Sequence, residues 1–305
     1  MPVIRTDELT KRFPGVTALD RLTVDIDAGV VGLVGANGAG KSTLIKILLG
    51  IAPATSGRAS VLGSDVVTNG PDIRAQVGYM PEHDCLPGDV SATEFVVHMA
   101  RMSGLPADAA RERTADTLRH VGLYEERYRP IGGYSTGMKQ RVKLAQALVH
   151  DPTIVMLDEP TNGLDPVGRD EMLALIRRVH TDFGISVLVT SHLLGELERI
   201  SDHVVVIDGG QLLRSSSTTD FTRNSQALVV EVTDRSDDVV AALAEAGLTA
   251  DRDGRHILVT LTGDADYDVI RSAVARLGVG LIRLEQRRHH IVEVFGEERT
   301  DVGAA

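Results

Sequence analysis

The chain has one cysteine, few lysines and no long apolar run. The scarcity of cysteine and the lack of a long apolar run exclude several classes of protein. Its single cysteine, Cys85, excludes an intrachain disulfide and cannot form a zinc site alone. The longest apolar stretches, such as residues 28–36 and 204–207, fall far short of the roughly 18–20 residues that span a bilayer. Residues 1–7 lack the charged-then-apolar pattern of a secretory signal. We therefore expect a cytoplasmic protein.

Acidic side chains also outnumber basic ones. The formal net charge is −11 at pH 7, which disfavours non-specific binding to the phosphates of nucleic acid, so no nucleic-acid partner is expected. The length of 305 residues and the hydrophobic content of 43% indicate a soluble globular protein with two domains. One of them is large enough to bury a complete α/β core.

A glycine-rich loop near the N-terminus matches the phosphate-binding pattern G-x-x-x-x-G-K-[ST] at every fixed position. An apolar run at residues 30–34 precedes it as a buried strand, and residues 43–49 follow with helical spacing up to Gly50. Because the chain has only five lysines, a chance match is on the order of one in a hundred. The pattern predicts a nucleoside triphosphate site formed by Gly35, Asn37, Gly38, Ala39, Gly40, Lys41, Ser42 and Thr43.

Two carboxylates, Asp158 and Glu159, end an apolar strand at residues 154–157. Asp158, at the carboxyl end of the strand, can hold Mg²⁺ through water. Glu159 points to the other side of the strand and can accept a proton from an attacking water. In the glycine loop, Lys41 can reach the β- and γ-phosphates and the Ser42 hydroxyl can ligate Mg²⁺. Together these residues indicate a phosphoryl-transfer site.

The segment from Tyr134 to Arg141 resembles the signature sequence of the ATP-binding-cassette (ABC) ATPases. The run from Asp158 to Pro166 resembles the Walker B and D-loop segments of the same family, and the motifs follow the family's order over roughly residues 3–220. The resemblance implies that Ser135 and Gly137 bind the nucleotide held by the glycine loop of a second subunit.

The resemblance also implies roles for three single residues. Phe13 would stack on adenine, and His192, after the strand at residues 185–190, would contact the γ-phosphate. Asp165 would couple the two nucleotide sites of a dimer. These residues complete the predicted site of the family.

Three positions depart from the general pattern of the family. Glu82 stands in place of the Q-loop glutamine, Met138 replaces a signature glutamine, and Thr136 replaces a signature glycine. Glu82 and Met138 resemble the drug- and antibiotic-export branch, and Glu82 keeps an acceptor for Mg²⁺. The branched Cβ and methyl group of Thr136 would weaken contact with the γ-phosphate.

The fold class implied by the resemblance is α/β, with a second, smaller domain. Residues 1–220 would form a P-loop NTPase cassette with antiparallel β and helical subdomains, the helical one at about residues 84–150. Residues 226–298 would form a small α+β domain, βαββαβ and ferredoxin-like. Its predicted strands are residues 228–232, 256–262, 280–285 and 291–295, and its predicted helices cover residues 236–246 and 267–277. The segment at 291–295 equally fits a short helix.

The function implied by the resemblance is ATP hydrolysis, with Mg²⁺, in a membrane exporter of drugs, antibiotics or other small amphipathic compounds. The chain would pair with a second ABC subunit, identical or different, and with a separate transmembrane-domain subunit at the cytoplasmic face of the membrane. One alternative is a soluble ABC ATPase acting on nucleic acid or ribosomes, which the single cassette and the net negative charge disfavour. Another is a regulatory subunit that barely hydrolyses ATP, which Glu159 and His192 disfavour.

Overall fold

Three β-sheets organise the described part of the chain. The computed structural model describes residues 2–218 and 227–286, except residues 255, 262 and 264. The chain divides into two compact units, the first holding the described residues up to Thr218 and the second those from Ala227 onward. Two of the sheets belong to the first unit and the third sheet belongs to the second unit.

The first unit mixes strands and helices along the chain, as α/β proteins do. Its strands are β1 (Ile4–Phe13), β2 (Val16–Ile26), β3 (Val30–Val34), β4 (Ser56–Val61), β5 (Ser64–Asp65), β6 (Val77–Met80), β7 (Ile154–Leu157), β8 (Ser186–Ser191), β9 (His203–Asp208) and β10 (Gln211–Ser217). Its helices are α1 (Lys41–Leu48), α2 (Gly70–Gln76), α3 (Ala92–Met102), α4 (Ala107–His120), α5 (Thr136–Leu148), α6 (Pro166–Phe183) and α7 (Leu194–Leu197), with a 3₁₀ turn at Ile131–Gly133. Throughout the described residues, no helix combines the length and apolarity needed to cross a membrane.

The six-stranded sheet of the first unit has the order β10-β9-β3-β8-β7-β6. Its pairs from β9 to β6 are parallel, and β10 is antiparallel to β9. Strands β3, β7 and β8 are buried along their whole length, as expected for parallel strands covered on both faces. The predicted strands at residues 30–34 and 154–157 are confirmed. Strands β3, β8 and β7 run parallel, so their carboxyl ends lie at the same end of the sheet. The glycine loop follows β3 and the two carboxylates follow β7, so both leave the sheet at this end, with β8 between them.

The second sheet of this unit is antiparallel, with the order β2-β1-β4-β5. One cluster of buried side chains joins both sheets and α1, and it includes Leu22 of β2, Leu33 of β3 and Ile45 of α1. Full burial of one such side chain stabilises the fold by about 1.5–3 kcal/mol. This shared core holds α1 against the strand that leads into the glycine loop.

Between β6 and β7 the chain forms α3, α4 and α5, inside the range predicted for a helical subdomain. Helix α3 begins with a capping box, in which the Ser91 hydroxyl accepts from the backbone N–H of Glu94 and the Glu94 carboxylate accepts from the backbone N–H of Ser91. Helix α5 begins at Thr136 after Ser135, whose hydroxyl oxygen accepts the backbone N–H of Met138. The predicted signature segment therefore forms the start of a helix.

The second unit has the element order βαββαβ. Its strands are β11 (Ala227–Val232), β12 (Thr249–Asp253), β13 (His256–Thr260) and β14 (Leu281–Gln286), and its helices are α8 (Ser236–Glu245) and α9 (Ala265–Arg276). The sheet is antiparallel, with the order β12-β13-β11-β14. Leu228 and Val230 of β11 pack with Ile257 and Val259 of β13 in an apolar core, which confirms the predicted alternation in these strands.

Two details of this unit differ from the sequence-based expectation. Strand β12 has no counterpart among the predicted elements, which in chain order run βαβαββ. With β12 the described residues supply all six elements of βαββαβ. The strand predicted at residues 291–295 lies outside the described residues. The ferredoxin-like classification of the unit stays a prediction.

Candidate active site

The glycine loop between β3 and α1 is shaped by close backbone approaches. Gly40 immediately precedes α1 with a φ of 105°, and a Cβ atom there would lie 2.4 Å from the carbonyl oxygen of Ala18. A Cβ atom on Gly35 would lie 2.5 Å from the carbonyl oxygen of Ile207. Only glycine fits either position, so the loop depends on both residues for its path to the helix N-terminus.

Lys41, the first residue of α1, is buried and points back into the loop. Its ammonium group donates to the carbonyl oxygen of Gly35 at 2.7 Å. The same nitrogen lies 3.2 Å from Oε1 of Glu159, and both side chains are at most 7% exposed. A buried ion pair of this kind is rarely a net source of stability, because both charges lose their hydration. Its presence points to a role in binding or catalysis.

Glu159 joins Lys41 to His192. Its Oε2 atom lies 2.9 Å from Nδ1 of His192, whose side chain is 43% exposed. Oε1 carries the ion pair with Lys41, but no hydrogen bond reaches it from the described residues. Glu159 also has a left-handed backbone, with a φ of 49°, which is uncommon for a residue other than glycine.

Asp158 and Glu159 share a hydrogen-bonding partner on the neighbouring strand. The Thr190 hydroxyl donates to Oδ1 of Asp158 at 2.8 Å and accepts the backbone N–H of Glu159 at 2.9 Å. Asp158 is 2% exposed and Thr190 is fully buried. Sequence reasoning did not single out Thr190. A hydroxyl at the end of an otherwise apolar stretch, two residues before His192, was the available signal.

A pocket of about 290 Å³ lies at this edge of the sheet and contains several of the predicted residues. Its lining consists of Ala36, Asn37, Gly38, Ala39, Gly40, Lys41, Ser42, Thr43, Glu82 and Glu159. The main-chain carbonyl of Glu82 accepts a hydrogen bond of 2.9 Å from the Lys143 ammonium group, and its Oε1 lies 3.5 Å from Nδ2 of Asn162. Lys143, on α5, therefore holds the Glu82 loop beside the pocket, and it was not singled out from the sequence.

The groups around Glu82 influence one another electrostatically. Burial lowers the pKa of Lys143, whereas the nearby acidic groups at Cys85, Asp84, Glu82 and Asp158 oppose that change. Burial, together with the Asp158 carboxylate, raises the pKa of Tyr79 to about 12. The Tyr79 phenol is therefore neutral at physiological pH and adds no charge to this end of the sheet.

Comparison with known proteins identifies the family. A family model described as ABC transporter matches residues 19–162. The chain is 35% identical over 240 residues to the bacitracin transport ATP-binding protein BcrA of Bacillus licheniformis, and the match covers 78% of each chain. It is 34% identical over 256 residues to the daunorubicin/doxorubicin resistance ATP-binding protein DrrA of Streptomyces peucetius, covering 82% of this chain and 77% of that protein. The chain belongs to the ABC transporter ATPases.

Solved structures agree with this assignment. The protein cbiO1 from Clostridium perfringens, part of the ABC transporter complex cbiONQ, is 28% identical with a TM-score of 0.67, covering 72% of this chain and 90% of that one. The ATP-binding cassette MJ0796, in a dimeric post-hydrolysis state bound to ADP and Pi, shares the fold at 20% identity and a TM-score of 0.64, covering 70% of this chain and 98% of that one. The predicted family and the α/β P-loop NTPase fold of the cassette are confirmed, and the protein is an ATP-binding ATPase.

Four predicted residues of this ABC ATPase, described next, are not among those that line the pocket. Ser135 caps α5 and is exposed, and Gly137 follows it in the first turn. Asp165 caps α6, where its carboxylate accepts the backbone N–H of Gly168 at 2.7 Å. Phe13 ends β1 with 48% of its surface exposed, and the Lys11 ammonium lies 4.9 Å from the centre of its ring. The structure thus gathers the glycine loop, Glu82, Asp158, Glu159 and His192 in one place.

Proposed function

We propose that this ABC ATPase powers an exporter of drugs, antibiotics or other small amphipathic compounds. The main support for ATP hydrolysis is that Glu159 contacts both Lys41 and His192 beside the glycine loop. The names of the relatives, which refer to bacitracin transport and to daunorubicin/doxorubicin resistance, support the exporter part. They favour it over a soluble ATPase that acts on nucleic acid or ribosomes.

Glu159 has the features of the general base in this proposal. His192 engages Oε2, whereas Oε1 is buried and receives no hydrogen bond from the described residues. Oε1 would therefore accept the proton of the attacking water once Lys41 contacts the phosphates instead. His192 orients the carboxylate through Nδ1 and would contact the γ-phosphate, and Lys41 brings positive charge to the phosphates that the glycine loop surrounds. Phe13 would stack on the adenine ring.

The oxygen donors at the site suit Mg²⁺, which binds through one or two carboxylates together with substrate phosphates. Ser42 and Glu82 line the pocket, and the Thr190 hydrogen bond to Oδ1 of Asp158 leaves Oδ2 available as a ligand. We assign Ser42, Asp158 and Glu82 to the metal. When bound, Mg²⁺ would neutralise negative charge on the transferred phosphoryl group.

The proposal includes a dimer with composite sites. Ser135 and Gly137 lie at the exposed N-terminus of α5 and do not line the pocket of their own chain. Backbone N–H groups at a helix N-terminus suit a phosphate, so these residues would bind the nucleotide of a second subunit, with Asp165 coupling the two sites. The dimeric form of the cassette MJ0796 supports such an arrangement.

Mixing two inactive variants tests the composite sites. Lys41→Ala and Ser135→Arg should each abolish ATPase activity in the homodimer. In a mixed dimer, Lys41 of the Ser135→Arg chain meets Ser135 of the Lys41→Ala chain, so partial activity should return. Ser103→Arg, at the exposed C-terminus of α3, is the control for the introduced charge and should stay active. No recovery on mixing would contradict a homodimer with shared sites.

The cassette would act from the cytoplasmic face of the membrane, bound to a separate transmembrane-domain subunit. In this assignment residues 1–220 form the nucleotide-binding domain, with its helical subdomain at about residues 84–150, and residues 226–298 form the small C-terminal domain.

Transport itself is tested in inside-out membrane vesicles that contain the chain and the membrane subunit that copurifies with it. ATP should drive uptake of daunorubicin, followed by its fluorescence, or of bacitracin, and Glu159→Gln should abolish the uptake. Equal uptake with both forms of the chain, or ATPase activity that neither compound nor any other amphipathic drug stimulates, would contradict the exporter assignment.

A further inference from the structure

The Thr190 hydroxyl lies where the two catalytic strands meet. In the register of the central sheet, Leu33 of β3 pairs with Thr190, and Leu157 of β7 pairs with Val189. Thr190 thus stands on the strand between the glycine loop and the two carboxylates. Asp158, which follows Leu157, lies directly beside it.

Both hydrogen-bonding capacities of this hydroxyl are in use. It donates its proton to Oδ1 of Asp158 and accepts the backbone N–H of Glu159. A hydroxyl group can do both, because it carries one donor and two acceptor lone pairs. All three groups are buried, so water does not readily replace Thr190 as a partner. Loss of the hydroxyl would leave a carboxylate oxygen and an N–H group unsatisfied.

We propose that Thr190 is a positioning residue for ATP hydrolysis, holding the metal-binding carboxylate of Asp158 and the backbone of Glu159 in one arrangement. The bond to Asp158 fixes the rotation of its carboxylate, and the bond to Glu159 supports the left-handed backbone that aims the base at Lys41 and His192. This inference rests on the roles proposed above for Asp158 and Glu159.

The expected kinetic effect is large because catalytic groups tolerate little displacement. Thr190→Val keeps the branched shape and removes the hydroxyl. A misplacement of about 1 Å can lower a rate about a hundredfold, so we expect kcat for ATP to fall roughly 10- to 100-fold. KM should rise only as far as the Mg²⁺-dependent part of the affinity falls, because the glycine loop is untouched. Thr190→Ser restores the hydroxyl and should keep kcat within about threefold of wild type.

The test has two readouts on the full-length protein. The first is kcat and KM for ATP. The second is the affinity for a fluorescent ATP analogue, measured once with Mg²⁺ and once with excess EDTA. Thr190→Val should reduce the gain in affinity that Mg²⁺ provides and leave the affinity in EDTA unchanged. Thr6→Val is the matched control, since Thr6 is also buried and its hydroxyl accepts the backbone N–H of Val24 in the antiparallel sheet. It should leave both readouts unchanged.

The outcomes separate this inference from the proposed function. If Thr190→Val matches Thr6→Val in kcat and in the Mg²⁺ effect, Thr190 has no positioning role. If Thr190→Val does not fold, Thr190→Ala provides the variant without a hydroxyl, judged by the same two readouts. A wild-type chain that binds ATP without hydrolysing it would contradict the proposed function, and the Mg²⁺ effect on binding would still test Thr190.

Discussion

The two units of the chain bury polar groups to very different extents. Among the residues described for the second unit, Asp266 is the only buried polar side chain, and its core is otherwise apolar. The first unit buries Lys41, Asp158 and Glu159 within one small region. Buried charges are unfavourable unless they are paired and hydrogen-bonded. The buried charges of the first unit therefore lower its stability where the site lies, whereas the second unit is stabilised by the packing of apolar side chains.

The largest effect is expected from Glu159→Gln in the first unit. The amide cannot accept the proton of water as the carboxylate does, so turnover should fall about 10²- to 10⁴-fold. ATP binding should persist, and the ATP-bound dimer should accumulate. ATPase assays, nucleotide binding and gel filtration measure these results. Glu8→Gln is the control, since Glu8 is an exposed glutamate that also has a left-handed backbone. Hydrolysis by Glu159→Gln near the wild-type rate would show that another group is the base.

The second unit should respond to loss of packing rather than of charge. Ile257 is fully buried in its core, so Ile257→Ala should lower the free energy of unfolding of this unit by about 2–5 kcal/mol. Because the two units have separate cores, basal ATPase activity should stay near wild type. Ile282→Ala, at a site that is 59% exposed, is the matched control and should change little.

Thermal unfolding followed by calorimetry, with ATPase assays on the same samples, measures the effect of Ile257→Ala. A loss of ATPase activity that parallels the loss of stability would show that the second unit supports the first in catalysis.

The sequence predicted these two units by different signals. The glycine loop was found from a motif, because phosphate binding restricts which residues fit at Gly40 and Lys41. The second unit was found from periodicity, because Leu228, Val230 and their neighbours form one apolar face. Strand β12 was missed because, among the described strands, it pairs with β13 alone, and its sequence shows little apolar alternation.

The contacts within the active site could not be predicted from the sequence. The hydrogen bonds of Thr190 depend on the register between β7 and β8, which the residues of either strand alone do not specify. The left-handed backbone of Glu159 carries no glycine signal. The bond from Lys143 to the Glu82 carbonyl joins positions 61 residues apart. Motifs therefore predicted which residues form the site, and the fold determined how they contact one another.

A smaller effect on ATPase activity is expected at Glu82, which lines the pocket together with Lys41 and Glu159. Glu82→Gln keeps an acceptor oxygen but loses attraction to Mg²⁺, so basal ATPase should fall by less than about tenfold, or ~1.4 kcal/mol of barrier. Glu82→Ala should in addition abolish stimulation by the transported compound in the reconstituted complex. Asp84→Asn is the control, because Asp84 is an exposed carboxylate of the same loop, paired with Lys139. Full stimulation of Glu82→Ala would show that Glu82 has no part in coupling.

The smallest effect is expected from His150, a half-buried residue of the first unit that lies just after α5. Burial lowers its pKa below the ordinary 6.5, so the folded chain binds fewer protons than the unfolded chain as pH falls below that value. Stability is therefore complete above about pH 6.5 and decreases towards acid, by less than about 1 kcal/mol between pH 7 and pH 5.5 because the burial is partial. His150→Phe should flatten this part of the curve of unfolding free energy against pH, whereas His98→Gln, at an exposed histidine of α3, should not. The unfolding free energy is measured by urea unfolding at each pH. If it depends on pH equally in wild type and in His150→Phe, the groups responsible for acid sensitivity lie elsewhere.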